Sequence, residues 1–593
     1  MRYNDPPITK ADSAKNSEIS SAQILYEPSQ VWNSHVIPLV LDRFSIELVD
    51  TIKDSSMFAT IPRIISTSQE GSPVYAVCDA IACAYLSSTT GTTAAMVNRT
   101  RAYATALRTV NTALDDSVQC KNDSTLLAVW MFVVYEAEHK LEIHVPQSFT
   151  ADRSAVNFNH EKFHISINKH PLASRLPAPT DDVPSLQDGS SVFRKLWVPP
   201  NAPVCLDDYL TSDLPQLTLN VVSFTDATLV SLCWPHIAAD AMSLRDVAKA
   251  WSLVLAGRQS EIPPMLSSGD DPMAPAGNNP LFLDTHVLEE QQVKGWWLLL
   301  WGLRFVFDLL WWRKMETRTA FLPWKVVNQL RSNILASLAE KAEKKIATEV
   351  TEEQAPFISE GDVVTAWMSL IVASSLLPSK SSRTVGISNA FDLRPRLPSI
   401  FPAKENQGSY VQNAVFPCWT NIPACDLIGK SDALGVAALK IRHSIKKQTT
   451  EPQIHALARL TRISLEQTHL PPMFGDTSSF LITASNWSKA RLFEVVDFGP
   501  AVQIAQCTSK YQGSTLAMKK KSIGGNTGSG CQAVKSNPVY YCVDNVSPNN
   551  MLARNAFFLA GTPNGDYWVN GCFPNAVWKA MEGVLRDNLL TSG

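Results

Sequence analysis

One short stretch of the chain, Pro235-His236-Ile-Ala-Ala-Asp240, joins two residue types that can do proton chemistry at a fixed spacing. An imidazole titrates near neutrality, so a histidine held at a cavity mouth can take a proton from an alcohol. An aspartate four residues later can fix the neighbouring backbone or an arginine. On its own the spacing is weak, because a hydrogen-bonded core histidine explains it better than a catalytic one does. The flanking residues say how such a pair would be held. Asp226 to Trp234 reads as a largely buried strand, and Ala241 to Leu255, with Met242, Val247, Trp251 and Leu255, reads as a helix packed beside it. His236 would then stand at a strand end.

Three other patterns invite chemistry. His160-Glu161-Lys-Phe-His164 has the zinc-protease spacing H-E-x-x-H. That motif works on a helix, where residues four apart lie about 6 Å from each other, whereas on a strand they are about 13 Å apart. The local pattern is strand-like, so surface polar residues are expected and no metal site is assigned. Lys519-Lys-Lys521 precedes a Gly-rich run, Gly524 to Gly530, but no Lys-Ser or Lys-Thr closes it and no helix pattern follows. It reads as a surface insertion. Trp296 to Trp312 is apolar, rich in tryptophan and interrupted by Arg304 and Asp308. Its length sits at the lower limit for a membrane span, so the first expectation is a helix lying in a membrane interface or covering a substrate channel. A true span is the second expectation, and a linker helix between two halves is the bland one.

A chain of 593 residues exceeds what one hydrophobic core serves, so two or three domains are expected. Hydrophobic residues at 45% and charged residues at 18% place it among ordinary globular proteins. A net charge of -3 offers no footprint for nucleic acid, which needs many phosphates neutralised; small-molecule partners fit better. The 11 cysteines contain no C-x-x-C pair, so neither a disulfide framework nor a zinc site is suggested. With a polar N-terminus lacking the apolar core of a secretory signal, a cytoplasmic location, with membrane association through Trp296 to Trp312, is the expectation.

Organisation changes along the chain. Residues 1–24 read as a disordered lead and 25–139 as a helical region, with Ala104, Leu107, Val110 and Leu114 at helical spacing and a further helix from Ser124 to Glu138. From Lys140 the texture turns to short β-like runs, Leu141 to Val145 and Phe163 to Ile167, punctuated by Pro146, Pro171, Pro177 and Pro179.

Two resemblances add to this reading. Ala76 to Leu86, Arg101 to Arg108 and Leu126 to Glu136 resemble the helical regulatory region of fungal zinc-cluster transcription factors; no cysteine cluster precedes them, so DNA binding is not implied. A generic helical appendage explains them equally well. The remainder resembles the BAHD acyltransferases. His236-x-x-x-Asp240 is followed by Phe357 to Trp367, then Asp392-Leu-Arg394-Pro-Arg396, Tyr410 to Val415, and Asp497-Phe498-Gly499, five matches in the family's own order. Ala241 stands where the family has a glycine, and Pro500 and Ala501 replace its Trp-Gly.

The resemblance implies an α/β fold of two similar chloramphenicol-acetyltransferase-like domains with a channel between them, preceded by the α-helical N-terminal region. The halves would be 140–325, including a linker helix, and 326–593. The first half is expected to lack its family's opening strand and helix. Acyl-CoA would be the co-substrate, a small-molecule alcohol the acceptor, and no bound cofactor is implied; a monomer is expected. His236 would be the catalytic base, Asp240 its structural partner through Arg394 or Arg396, and Asp497, Phe498 and Gly499 a structural motif. The expected reaction moves an acyl group from acyl-CoA to a hydroxyl of a secondary metabolite. The alternative is an inactive or regulatory fusion of the two parts. A peptide-synthetase condensation domain is disfavoured, because Pro235 occupies the place where that family has a histidine.

Overall fold

The computed structural model describes most of residues 64–586, leaving out 132–147, 267–270, 347–356, 402–407, 502–535, 547–552 and a few single positions or short runs. The chain divides into two compact units, Met1–Phe132 and Val133–Gly593. In the first, α1 (Pro73–Thr90) and α2 (Thr93–Asp115) pack on each other. The buried stripe of α2 is Ala102, Ala106, Val110 and Ala113, a three-and-four spacing that lays small side chains along one face. Val110 falls in that stripe as the spacing predicts. Ala104, Leu107 and Leu114 flank it and are half-buried, because the contact is built on alanine and lets the helices approach closely.

The second unit is mixed α/β, and its first strands are β1 (Val156–Lys162), β2 (Ser185–Asp188), β3 (Leu217–Ser223) and β4 (Thr228–Cys233). A three-stranded sheet runs β1-β3-β4, with β1 parallel to β3 and β4 antiparallel to it. Being at an edge, β4 is half-buried, not largely buried as its apolar run predicts. The run Phe163 to Ile167 is not a strand. There the chain leaves β1 and turns, because Asp226 accepts hydrogen bonds from the Ser166 hydroxyl at 2.6 Å and the Ile167 N–H at 2.8 Å, while Phe163 stacks on Phe224. His160 lies on β1 and bonds Ser223 at 3.0 Å. The Leu141 to Val145 run, the Gly-rich run after Lys519 and most of the Ser124 to Glu138 helix lie outside the described residues.

After β4 come α3 (Ala241–Leu255), α4 (Gly295–Trp311), β5 (Met315–Leu322), α5 (Trp324–Ile346) and α6 (Glu360–Leu376). They are followed by β6 (Thr384–Asp392), β7 (Val415–Pro423), α7 (Ala433–Gln448), α8 (Glu451–Thr468), β8 (Phe480–Asn486), β9 (Ala556–Gly561), β10 (Tyr567–Pro574) and α9 (Asn575–Arg586). A seven-stranded sheet is ordered β2-β5-β10-β9-β8-β6-β7, with β6, β8 and β9 mutually parallel at its centre. Thus β2 and β5, from the stretch before residue 325, complete a sheet made mainly of later strands.

Alternation along the strands gives that sheet two apolar faces. Leu322, Ile387, Ile482, Leu559 and Val569 point into a core shared with α5, α6, α7 and α9, whereas Phe321, Phe558, Ala560 and Trp568 point into a second core shared with α3. Helix α6 is buried almost all round, and a capping box between Ser359 and Asp362 fixes its start. Among the described residues no helix is long and apolar enough to cross a membrane; the Trp296 to Trp312 run forms α4, 17 residues packed on the body along one side.

Candidate active site

His236 lies in a tight turn that leaves β4 and enters α3, and it is solvent-exposed. The turn closes through the Ala238 N–H donating to the Pro235 carbonyl at 2.9 Å and the Trp234 indole N–H donating to the Ala239 carbonyl at 2.9 Å. Asp240 then caps α3. Its Oδ1 accepts from the N–H groups of Met242 at 3.0 Å and Ser243 at 2.9 Å and from the Ser243 hydroxyl at 3.0 Å. Two of the donors that every helix start leaves open are satisfied in this way.

The other oxygen of Asp240 faces the second half of the chain. Its Oδ2 accepts from the Ala414 N–H at 2.7 Å and from Arg394 Nη1 at 3.0 Å. Arg394 also reaches Asp392 at 2.8 Å, the Tyr410 carbonyl at 3.1 Å, the Gln412 carbonyl at 2.6 Å and the Ser243 hydroxyl at 3.0 Å. Burial by itself would raise the Asp240 carboxyl, but the Arg394 guanidinium and the N–H groups of Ala414 and Ser243 hold it below its ordinary value. Burial likewise works against the Arg394 charge, and Asp240 and Asp392 more than compensate. A buried ion pair in which both partners are multiply hydrogen-bonded is a rigid fixture.

Asn413 completes the arrangement. Its Nδ2 donates to the His236 carbonyl at 2.6 Å and to the Ile237 carbonyl at 3.0 Å. Asn413 and Ala414 therefore hold the histidine loop and its closing aspartate, and the carbonyl of the preceding Gln412 accepts from the Ser243 hydroxyl in the first turn of α3 at 3.0 Å. Among the described residues nothing hydrogen-bonds the His236 ring, so the loop is restrained through its backbone and the imidazole is left to face solvent. Such a ring can exchange a proton with a molecule brought to it.

Asp497, Phe498 and Gly499 sit at the opposite end of α3. The Asp497 N–H donates to the Ser252 hydroxyl at 3.0 Å, and its carboxylate accepts from the N–H groups of Gly499 and Ser536, both at 2.9 Å. Phe498 packs edge-on against Trp251 with ring centroids 5.0 Å apart. Ser252 is about 16 Å along the helix axis from Ala241, so these residues are remote from the imidazole. Arg396 is not brought to Asp240; it bonds Thr449 and lies over the Phe391 ring.

One contributor to the site is signalled in the sequence by its spacing and another is not. Asp240-Ala-Met-Ser243 has the spacing of a helix-capping box, with Ser243 returning a bond to the Asp240 backbone at 3.4 Å. Asn413 belongs to a recognised motif, but its bond to a loop more than 170 residues away in sequence could not be inferred from spacing. A cavity of about 570 Å³ lies elsewhere, beside Phe163, His170 and Leu196, and includes no residue of the histidine loop.

No family model matches the chain. It is 33% identical over 453 residues to the O-acetyltransferase PaAT-2 of Phomopsis amygdali, covering 75% of this chain and 85% of that protein. It is 35% identical over 452 residues to the acetyltransferase pyiB of Pyricularia grisea, covering 75% and 82%. A third relative, 31% identical over 458 residues and covering 76% and 84%, is called the transcriptional regulator calD of Penicillium decumbens. Among solved structures, TRI101 of F. graminearum with coenzyme A and T-2 mycotoxin aligns with a TM-score of 0.42 and 12% identity, covering 72% of this chain and 79% of that one.

Proposed function

The chain belongs to the fungal acetyltransferases of which PaAT-2 and pyiB are members, and we propose that it is of the BAHD type and uses His236 as the general base that moves an acyl group from acyl-CoA to a hydroxyl of a secondary metabolite. It is an acyltransferase.

In the proposed reaction the acceptor oxygen attacks the thioester carbonyl while the His236 imidazole removes its proton. The tetrahedral intermediate collapses, the carbon–sulfur bond breaks, and the imidazolium returns the proton to the departing thiolate. An ester and free CoA leave, and no covalent acyl-enzyme is needed. Asp240 acts indirectly, as a positioning residue: bound by Arg394 and Ala414, it fixes the start of α3 and hence the direction in which the imidazole points. Asp497 to Gly499 hold the far end of the same helix. A passage between the two halves, open to acyl-CoA on one side and to the alcohol on the other, belongs to the proposal.

The observation that supports this reading most is the exposed imidazole on a loop whose backbone carbonyls are held by Asn413 and whose closing aspartate, Asp240, is held through its carboxylate by Arg394 and Ala414. Purified full-length protein incubated with acetyl-CoA and a panel of lipophilic alcohols, with CoA release followed by a thiol reagent, tests it. His236→Ala is expected to abolish release, and equal turnover by the variant removes the mechanism.

A second reading rests on the relative called a transcriptional regulator and on the helical unit at the N-terminus. Here the acyltransferase part would be a regulatory scaffold. Failure of the wild-type protein to hydrolyse or transfer from any acyl-CoA, with pathway transcripts altered on its deletion, would favour this reading.

A further inference from the structure

Helix α4 presents an unusual surface. Leu299 and Val306 are buried against the body, the Trp301 indole donates to the Ser479 carbonyl at 3.2 Å, and Asp308 forms a two-pronged ion pair with Arg383 at 2.7 and 2.9 Å. The helix is thus fastened along one side. On the other side Trp297, Phe307 and Trp311 are 59%, 59% and 69% exposed. At 100° per residue these three fall with exposed Arg304 in a single narrow stripe, about 21 Å from end to end. Phe307 and Trp311 stack on each other with centroids 5.8 Å apart at one end of the stripe, and Trp297 stands at the other, about 15 Å along the axis from Phe307.

Exposed cations flank the ridge: Lys294 just before the helix, Arg313 and Lys314 just after it, and Arg304 within it. Acidic groups lie nearby as well, with Glu289 before the helix and Glu316 after it, the latter bonded to Asn575. Asp308 is held by Arg383; Asp476 lies within electrostatic reach of Arg304; exposed Glu290 lies upstream of Lys294. Water-facing surfaces seldom gather three large aromatics in one stripe without a partner. Aromatic rings at the level of lipid headgroups, with cations at both ends, match a negatively charged bilayer surface in both polarity and charge.

We propose that the Trp297–Phe307–Trp311 ridge with Lys294 and Lys314 docks the protein on anionic lipid bilayers, with α4 lying in the interface and not crossing it. This rests on the surface of α4 alone and stands whether or not His236 is the base. If both hold, a lipophilic acceptor would be taken from the bilayer in which it dissolves.

The test is co-sedimentation of the full chain with phosphatidylcholine vesicles, with and without phosphatidylserine. Wild type is expected to partition onto the serine-containing vesicles and to be released as salt is raised. Trp297→Ser/Phe307→Ser/Trp311→Ser is expected to lower partitioning at least about tenfold, and Lys294→Glu/Lys314→Glu to remove the preference for phosphatidylserine. Quenching of wild-type tryptophan fluorescence by lipids brominated near the headgroup provides a readout that needs no variant. The idea is overturned if wild type ignores both vesicles, if the triple variant binds like wild type, if no quenching occurs, or if the property the triple variant loses is self-association in light scattering.

Discussion

Asp240 and Arg394, 154 residues apart in sequence, meet through a carboxylate oxygen and a guanidinium nitrogen at 3.0 Å, and the same two side chains share the Ser243 hydroxyl. The contact joins the start of the helix after His236 to the 3-10 turn that follows β6. Because both groups are largely withdrawn from water, breaking the pair is costlier than an exposed ion pair would be.

Asp240→Ala strands the Arg394 charge beside Asp392 alone and uncaps α3. Stability to urea is expected to fall by about 3 kcal/mol or more. Turnover at saturating substrate is expected to drop as well, since the loop bearing His236 loses its anchor. A variant as stable as wild type would mean that the pair is not an anchor.

The acid side of the stability profile follows from the same carboxylate. Its folded pKa is depressed below the ordinary 3.8, so its contribution is fully present above the unfolded value and is lost as pH falls through the folded one. The difference in urea midpoint between wild type and Asp240→Asn is therefore expected to stay constant near neutrality and to shrink below about pH 4. A gap that holds its size down to pH 3 would contradict it.

Asn413 restrains the loop through two carbonyls. On the proposed mechanism Asn413→Ala is expected to lower kcat by roughly tenfold to a hundredfold while leaving KM for acyl-CoA within about threefold, because what is lost is the aim of the imidazole. Asn413→Asp, which places an oxygen opposite the His236 and Ile237 carbonyls, should be worse than alanine. Measuring both variants on the same acceptor checks the order.

At the far end of α3 the expectation is purely structural. Ser252→Ala leaves the Asp497 N–H without its acceptor and should cost about 1 to 2 kcal/mol in unfolding free energy, with kcat unchanged at a temperature where the protein is folded. A large kcat effect would place this motif nearer the chemistry than the geometry does.

Much of the site could be read from residue order. The apolar run up to Trp234 and the periodic run from Ala241 predict a strand and a helix, and β4 and α3 occupy those places with His236 in the turn between them. Other features depended on geometry that spacing does not carry. Arg394 and Arg396 look equivalent in sequence, but they sit on one 3-10 turn, where residues two apart point in well-separated directions, so only one faces Asp240. The buried line of α3 is Ser243, Ala248 and Ser252, with Met242 and Trp251 at its margins, because a close-packed sheet face admits small side chains where an apolar count favours large ones. Phe163 to Ile167 has the composition of a strand, yet the Asp226 carboxylate competes successfully for its backbone.

Helix α3 is gripped at its start by Arg394 and Ala414 and near its end by Asp497, all supplied by chain made long after His236. On a ribosome, the histidine is therefore translated well before the residues that hold its loop, and a half-made chain carries His236 on a turn closed only by its own local bonds. Strands β9 and β10, which lie inside the seven-stranded sheet and share a core with α3, come later still, so on the proposed mechanism premature termination anywhere before the end of β10 should yield a polypeptide that carries His236 and transfers nothing.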